Sequence, residues 1–560
     1  MKVLIIGGYG VFGGRLARLL ADEPRLTLMV AGRSAGKAQD FCAQWRLVDG
    51  AILQPVRFDR DGAVAAQLSD LEPDLVVDCS GPFQGYGAAP FRVVEACIAA
   101  GIDYLDLADA SDFVLKVPQF DDAARAAGVF VVSGTSTCPA LTAAAVSGMT
   151  GGWSAVDAIS AGIAPSPHAR VGEAVLRAIT SYAGKAVTLR RGGAKAIGLG
   201  LVETRNVTIA PPGRLSLYST RFSLVDVPDL TLLPMIWPEV SAVWIGAGPR
   251  PELLHRMLNV LARMVSWGVP LPLVRLSGLF HWANGWLCWG EDRGGMYVRV
   301  AGRDADGAAR VRTWSLIAEA DAGPFIPSMA AAALVGQVLD GRRPDPGARS
   351  AAGAVSLDDY APLFAAQGIV TGVREHRPSS DPVYRQVLAD AWDELPPALR
   401  RMHDLTSGRS VVHGQASVRR GRGVLSRLVG AVIGFPKVQT DGPVQVTFER
   451  VDGEEIWTRR FGEQSFSSRQ AVGTGRSEAL VVERFGLMAC GMAPVVDVGV
   501  LRLVPRRWMV LGLALPAWLF PRIRASEAQV DGRFSFDVEI SHPLTGLIVG
   551  YQGWLEPAST

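Results

Sequence analysis

Three groups of residues in this sequence could do chemistry, and the first is a run of glycines. In "IIGGYGVFGGRLARLLA", Gly8, Gly10 and Gly13 fit the G-x-G-x-x-G spacing. Such glycines permit a tight turn, let backbone approach a pyrophosphate and let a helix pack close on a strand. The turn from Gly8 to Gly13, with Tyr9, Val11 and Phe12 between the glycines, is therefore expected to cradle the phosphates of a dinucleotide. Gly7 and Gly14 are left as room for packing. The second group lies twenty positions after Gly13, at the end of "LTLMVAGRS". An acidic residue there would bind a ribose 2′-hydroxyl. This chain has Ala31, Gly32, Arg33 and Ser34 instead, and Arg33 with Ser34 suits a 2′-phosphate. NADP(H) is thus the expected cofactor.

The third group borders the reacting end. "DCSGPFQGYG" closes an apolar run, so Ser80, Gly81, Pro82 and Phe83 are expected beside the nicotinamide. Asp106 and Asp109 in "DYLDLADASDF" are the candidate proton donors for hydride transfer, although each also reads as a helix cap or hydrogen-bonding aspartate. Tyr182, Lys185 and Lys195 could bind an anionic substrate group, or be plain solvated side chains. Cys138 before Pro139 reads mainly as a buried thiol. No metal is expected, because His403 and His413 have no cysteine nearby, and G-x-S-x-G is absent.

These residues need elements to position them. Through residues 1–137, short apolar runs such as "KVLIIGG", "DLVVDCSG" and "VFVVSG" alternate with helical stretches such as "APFRVVEACIAAG". That alternation spells βαβ units: an α/β Rossmann-type, doubly wound parallel sheet. Residues 138–322 change to period-two alternation around the turn "DADG" and read as an inserted α+β substrate domain with an antiparallel sheet. Its segment 251–290 is rich in Leu, Met and Trp. It reads as buried helices, with an apolar substrate tunnel or membrane-facing flap as the sharper alternative.

Residues 323–370 read as a helical segment returning to the first domain, with Pro327 near its start and Gly341 past its end. Residues 371–382, "TGVREHRPSSDP", read as a linker. Residues 383–560 form a separate C-terminal α+β accessory domain, in which Val444, Val446 and Phe448, and Phe534, Phe536, Val538 and Ile540, share faces and Asp452–Gly453 supplies a hairpin turn.

At 560 residues the chain exceeds one core, and 56 basic against 54 acidic residues give no footprint for nucleic acid. Six cysteines without CxxC pairs suit reduced thiols and a cytoplasmic location. The apolar run at 508–520 is too short to span a bilayer, and no export signal is expected. Arg419, Arg420, Arg422, Arg427, Arg506 and Arg507 beside apolar runs read as solvent faces of core helices, or as contacts to an anionic membrane surface.

"GGYGVFGGRLARLL", "VAGRS", "VVDCSGPFQGYGAAPFRVVEACIAAGIDYLDLAD" and "SGTSTCPA" resemble the saccharopine dehydrogenase-like NADP-binding oxidoreductases, in their reductase branch. The resemblance rests on Gly81, Pro82, Phe83, Ala96, Cys97, Gly101, Tyr104 and Asp106, and "WSLIAEADAGPFIPSMAAAAL" resembles the closing segment of that family. It implies a Rossmann domain with an inserted substrate domain. The region beyond residue 383, with "LPPALRRMH", "EEIWTRRFG" and "GWLEP", resembles a bacterial domain family of unknown function fused behind such reductases. The resulting expectation is an NADPH-dependent reductase of an apolar small molecule. Peripheral membrane contact and a homodimer are compatible with it. The alternatives are a non-catalytic dinucleotide-binding sensor or scaffold, and a lipid enone or ketone reductase at a membrane surface.

Overall fold

The apolar runs of the first 137 residues become strands buried on both faces, except at the edge strand Ile52–Arg57, where of the six residues only Val56 is buried. Val3, Leu4 and Ile5 of β1 (Lys2–Ile6) have no exposed surface. β2 (Thr27–Gly32), β3 (Ile52–Arg57), β4 (Leu75–Asp78), β5 (Asp103–Asp106) and β6 (Phe130–Ser133) follow, separated by helices that include Gly13–Leu19, Ala35–Trp45, Val64–Leu71 and Arg92–Ala100. The sheet order is β3-β2-β1-β4-β5-β6, closed at the β6 edge by the strand Gly347–Ser350, and every pairing is parallel. The chain reverses direction across the sheet between β1 and β4. In such a sheet, that point is where ligands sit.

The protein is described from a computed structural model at all residues except 88, 170–179, 272–289, 377–380, 406–408, 425, 428–434, 437, 452–453, 517–518 and 558–560. The described chain divides into one unit of residues 1–205 and 221–371 and another of 206–220 and 372–560. The Asp452–Gly453 turn, Cys288 and the Trp-rich half of the 251–290 segment lie outside the described residues.

Within the first unit, Ala155–Ala164 lies between Ala242–Ala247 and Arg293–Arg303, and Ala309–Glu319 follows. The last two form a hairpin around residues 304–307, where Asp304 Oδ1 accepts from the amides of Asp306 and Ala308. The sheet is mixed rather than wholly antiparallel, because Ala242–Ala247 runs parallel to Ala155–Ala164. A parallel pair needs a long crossover, and the chain between these strands is long enough to supply one. The helix Ile326–Leu339 returns to the glycine turn, where Ser328 Oγ donates to the Phe12 carbonyl at 3.0 Å. Residues 371–376, read as the start of a linker, belong to the strand Val370–His376.

The second unit opens with the helices Val383–Leu388 and Pro397–His403. They precede an antiparallel sheet of eleven strands. Ten of these close into a barrel by pairing Met488–Asp497 with Val500–Val510. Arg506, Arg507 and Trp508 therefore sit on a strand, not on a helix, and Trp508 is buried. A run of alternating side chains with one buried face folds as a strand even when it is apolar enough to pass for a helix.

Asp103, at the start of β5, ties three segments together. It accepts from the Phe130 amide at 3.0 Å and from two guanidinium nitrogens of Arg343, at 2.9 and 2.5 Å. Asp103→Ala is expected to destabilise the first unit by roughly 1–3 kcal/mol through the orphaned donors. Calorimetry of the intact protein should show the transition of the first unit moving down while that of the barrel stays in place.

Candidate functional site

The site starts where β1 ends. Gly7 has φ +76°, and a Cβ on it would sit 3.0 Å from the Cys79 carbonyl oxygen and from Ser80 Cα. Its role is thus conformational and not merely packing, because only glycine takes this backbone angle cheaply while pressed against the loop after β4. Gly13 is constrained differently, since its Cβ would stand 2.3 Å from the Gly7 carbonyl oxygen. The amide of Gly10 donates to Gly7 and that of Gly14 to Gly10. By contrast, the amides of Tyr9, Val11 and Phe12 have no acceptor among the described residues. Three unspent donors in one glycine turn form a cradle that fits a pyrophosphate.

Tyr9 closes the other side of the cradle. Its hydroxyl accepts from the Ser34 amide at 3.0 Å, and its ring covers Gly32, where a Cβ would lie 2.5 Å from the ring edge. Tyr9 thereby fixes the end of β2 against the turn. Ser34 caps the helix Ala35–Trp45, with Oγ accepting from the Lys37 amide at 3.4 Å. Arg33 is exposed and makes no hydrogen bond or ion pair with any described residue. Its charge is therefore free for a ligand.

The candidate reacting end has a row of polar residues across three apolar strands. Register sets Asp78 opposite Asp106, and Ser133 follows on β6. Ser80 donates to Asp78 Oδ1 through both its amide, at 2.9 Å, and its hydroxyl, at 2.5 Å, and Tyr86 Oη lies 2.9 Å from Ser80 Oγ. The Arg60 guanidinium stacks 3.3 Å from the centre of the Tyr86 ring. Burial pushes the Asp78 carboxyl up despite these bonds. The Ser80 hydroxyl is thus spent on shaping the loop, and Gly81 is exposed at its tip with Pro82 half-buried. Phe83 turns inward against Tyr86 and Phe113, at ring separations of 4.8 and 5.0 Å.

The two candidate acids have different surroundings. Asp106 is fully buried, and its Oδ1 accepts from the amides of Gly134, at 2.8 Å, and Ala108, at 2.9 Å, and from Ser133 Oγ at 3.0 Å. Desolvation, aided by the charge of Asp78, pushes its carboxyl up to about 7 against those bonds. Asp106 staples the loops after β5 and β6. Asp109 is exposed within a crowded cleft, takes a 3.2 Å bond from Gln84 Nε2, and is raised by desolvation. It can reach a ligand.

Sequence reasoning missed the Asp78–Ser80–Tyr86 network, although an acid ending an all-apolar parallel strand is a readable signal. It also missed Asp229, buried beside Cys138 and Thr142, whose carboxyl burial pushes up to about 7. Nothing in "VPDLTLL" marks that residue. Cys138 is buried 3.6 Å from Thr142 Oγ1, and burial raises its thiol far above the ordinary range. Lys185 and Lys195 are both exposed and are not brought together. Lys195 faces Arg190 near the turn of a hairpin, while Lys185 precedes its first strand.

The helix Glu252–Ser266 is not the buried apolar helix its composition suggests. It buries His255, Asn259 and Ala262 and exposes Leu253, Met257 and Val260. Its polar face is held inside because His255 Nε2 lies 2.7 Å from Ser223 Oγ and Asn259 bonds Ser223, Arg221 and the Leu201 carbonyl. In the second unit, Arg419 pairs with Glu539 at 3.8 Å and Arg420 donates to the Phe435 and Pro436 carbonyls. Most of the apolar run beside them lies outside the described residues.

Residues 3–132 match the saccharopine dehydrogenase NADP-binding domain, and residues 395–555 match a domain of unknown function, DUF4166. The N-terminal domain is of the saccharopine dehydrogenase type. It is a nicotinamide-dinucleotide-binding domain of oxidoreductases. No curated protein matches the chain. Among solved structures, it is similar to apo saccharopine dehydrogenase (L-Glu forming) from Saccharomyces cerevisiae, at 15% identity and a TM-score of 0.46, covering 67% of this chain and 100% of that one. The WlbA (WbpB) dehydrogenase from Thermus thermophilus in complex with NAD and α-ketoglutarate is similar at 10% identity and a TM-score of 0.28, over 64% of this chain and 91% of that one. Among the described residues, no helix is long and apolar enough to cross a membrane.

The Asp106 environment predicts a pH effect of definite sign. A carboxyl raised in the folded state adds stability that is complete below its unfolded value near ~4 and is lost as pH rises through about 7. Asn at this position keeps the oxygen that accepts three bonds and cannot ionise. Asp106→Asn is therefore expected to flatten the fall in melting temperature between these pH values, as followed by calorimetry.

Proposed function

We propose that the protein is an NADPH-dependent reductase of a rather apolar carbonyl or imine compound. The observation that carries the cofactor preference is Arg33, exposed and unpaired at the end of β2 where an acid would exclude a 2′-phosphate. The turn of Tyr9, Gly10, Val11 and Phe12 would hold the pyrophosphate, and Ser34 would add a hydroxyl to the 2′-phosphate. The bound nicotinamide would supply the hydride. The loop of Ser80, Gly81 and Pro82, braced by Asp78 and Tyr86, would then limit where the ring can lie, while Phe83 supports the loop from beneath.

A hydride acceptor needs a proton on the atom made anionic, and Asp109 is the donor this reading assigns. It is open to the cleft, desolvation holds its carboxyl up so that a larger fraction stays protonated, and Gln84 orients it. Asp106 positions the loops instead, because its carboxyl is fully buried and its Oδ1 already accepts three hydrogen bonds.

Titration of the purified protein should show NADPH binding more tightly than NADH. Arg33→Ala is expected to weaken NADPH at least tenfold and leave NADH unchanged, given the strength of a charge-assisted pair. Equal weakening of both cofactors would overturn the assignment. With a substrate in hand, Asp109→Asn should cost about 10²–10⁴ in kcat without changing NADPH affinity. If NADPH binds and no extract oxidises it, the sensor reading replaces the enzymatic one.

The outward face of the helix Glu252–Ser266 favours the lipid-like substrate class. Leu253, Met257 and Val260 are each more than half exposed, Trp267 follows at 74%, and Arg256 and Arg263 flank them. This pattern suits the surface of a bilayer. Co-sedimentation with anionic liposomes at low salt should be lost in Met257→Asp with Trp267→Ser, and failure of the unaltered protein to sediment would remove this reading.

A further inference from the structure

The barrel of the second unit has an interior that its own side chains do not finish. Eight strands already leave room for side chains or one small ligand, and here ten close the wall. Strand alternation points Val446, Phe534 and Val538 inward, so the lining is mainly hydrocarbon. It encloses a cavity of about 80 Å³. That is several times the ~10–15 Å³ that one water requires. Met402 and Met492 also line it, and their flexible thioethers can give way to a larger guest.

The polar groups of this interior fall into two classes. The charged ones are matched internally. Arg459 donates to Ser468 Oγ at 2.8 Å and to Glu483 at 3.2 Å, Ser468 donates to the same Glu483 oxygen at 2.6 Å, and Glu527 lies 2.6 Å from His403 Nε2. The second class is unmatched. Tyr384 and Gln470, 0% and 1% exposed, are both among the residues around the cavity, and the Tyr384 hydroxyl and the Gln470 Oε1 have no partner among the described residues. Each such orphan is costly to leave without a partner. The Tyr384 ring is held in place by its stack on His403, at 3.9 Å between centres, so its hydroxyl cannot simply swing to another partner.

One donor and one acceptor without partners, in a hydrocarbon cage whose charges are already paired, define the guest. A carboxylate or phosphate would meet the closed Arg459–Glu483 pair, with no free cation among the described lining residues, whereas a hydroxyl can accept from Tyr384 and donate to Gln470. We propose that the barrel interior binds one uncharged, mainly hydrocarbon molecule bearing a hydroxyl group, seated on Tyr384 and Gln470. The accessory domain is then a carrier for apolar alcohols, and the proposal stands whether or not the first unit is a reductase.

The test uses the intact protein and the neutral fluorophore N-phenyl-1-naphthylamine, competed with 1-decanol and with decane. Saturable uptake of one fluorophore per chain is expected, with 1-decanol displacing it at least tenfold more effectively than decane. Tyr384→Phe with Gln470→Leu should bring the two competitors within about twofold of each other. Ala525→Phe, which fills the cavity, should abolish uptake. Circular dichroism verifies the fold of each variant, and Tyr384→Phe alone, which removes a single oxygen, keeps the test valid if Ala525→Phe does not fold. No saturable uptake, equal displacement by decanol and decane in the unaltered protein, or full uptake by a folded Ala525→Phe would each overturn the proposal.

Discussion

A carboxylate cannot stand alone in hydrocarbon, and the first unit places two of them at the ends of adjacent apolar strands. Register puts Asp78 beside Asp106, so burial penalises both and the charge of Asp78 raises Asp106 further. Much of the relief comes from donors at and just beyond the strand ends. Ser80 bends back to Asp78, and the amides of Ala108 and Gly134 with the Ser133 hydroxyl converge on Asp106. Three loops are thereby pinned at one edge of the sheet. The shape of the cleft above that edge is a by-product of satisfying two buried acids.

The barrel solves the opposite problem. Its walls follow from strands that alternate inward hydrocarbon with outward polar side chains. Its interior nevertheless retains Arg459 with Glu483, at 3.2 Å, and His403 with Glu527, at 2.6 Å. A buried ion pair contributes little net stability, and removing either partner is costly. Such pairs fix geometry more than they strengthen it. Arg459, Ser468 and Glu483 hold the inner faces of Glu454–Phe461, Gln464–Val472 and Val481–Phe485 in one arrangement, and His403 with Glu527 ties the helix Pro397–His403 to the strand Arg522–Val530.

Much of the fold was legible because it rests on periodicity. The doubly wound sheet, the hairpin at residues 304–307, and the inward faces of Val444–Val446–Phe448 and Phe534–Phe536–Val538 follow from spacing alone. The features that did not follow depend on neighbours distant in sequence. Gly7 needs a left-handed angle because of where Cys79 comes to rest. The helix Glu252–Ser266 turns its polar side inward because Ser223 and Arg221 wait beneath it. In the candidate site, the glycine cradle and Arg33 were readable as local pattern. The bracing of the loop after β4 by Tyr86 was not, since no local pattern ties a serine to a tyrosine six residues later.

Arg33 carries one more consequence. Nearly every other residue around the cradle is also a part of the scaffold: Gly13 cannot accept a side chain, Tyr9 ties the turn to β2, and Ser34 caps a helix. Among the described residues, the Arg33 side chain holds nothing up. Whatever preference it sets between two closely related dinucleotides can therefore drift or be redesigned without touching the foundations. In this architecture the choice of electron currency is detachable from the ability to fold.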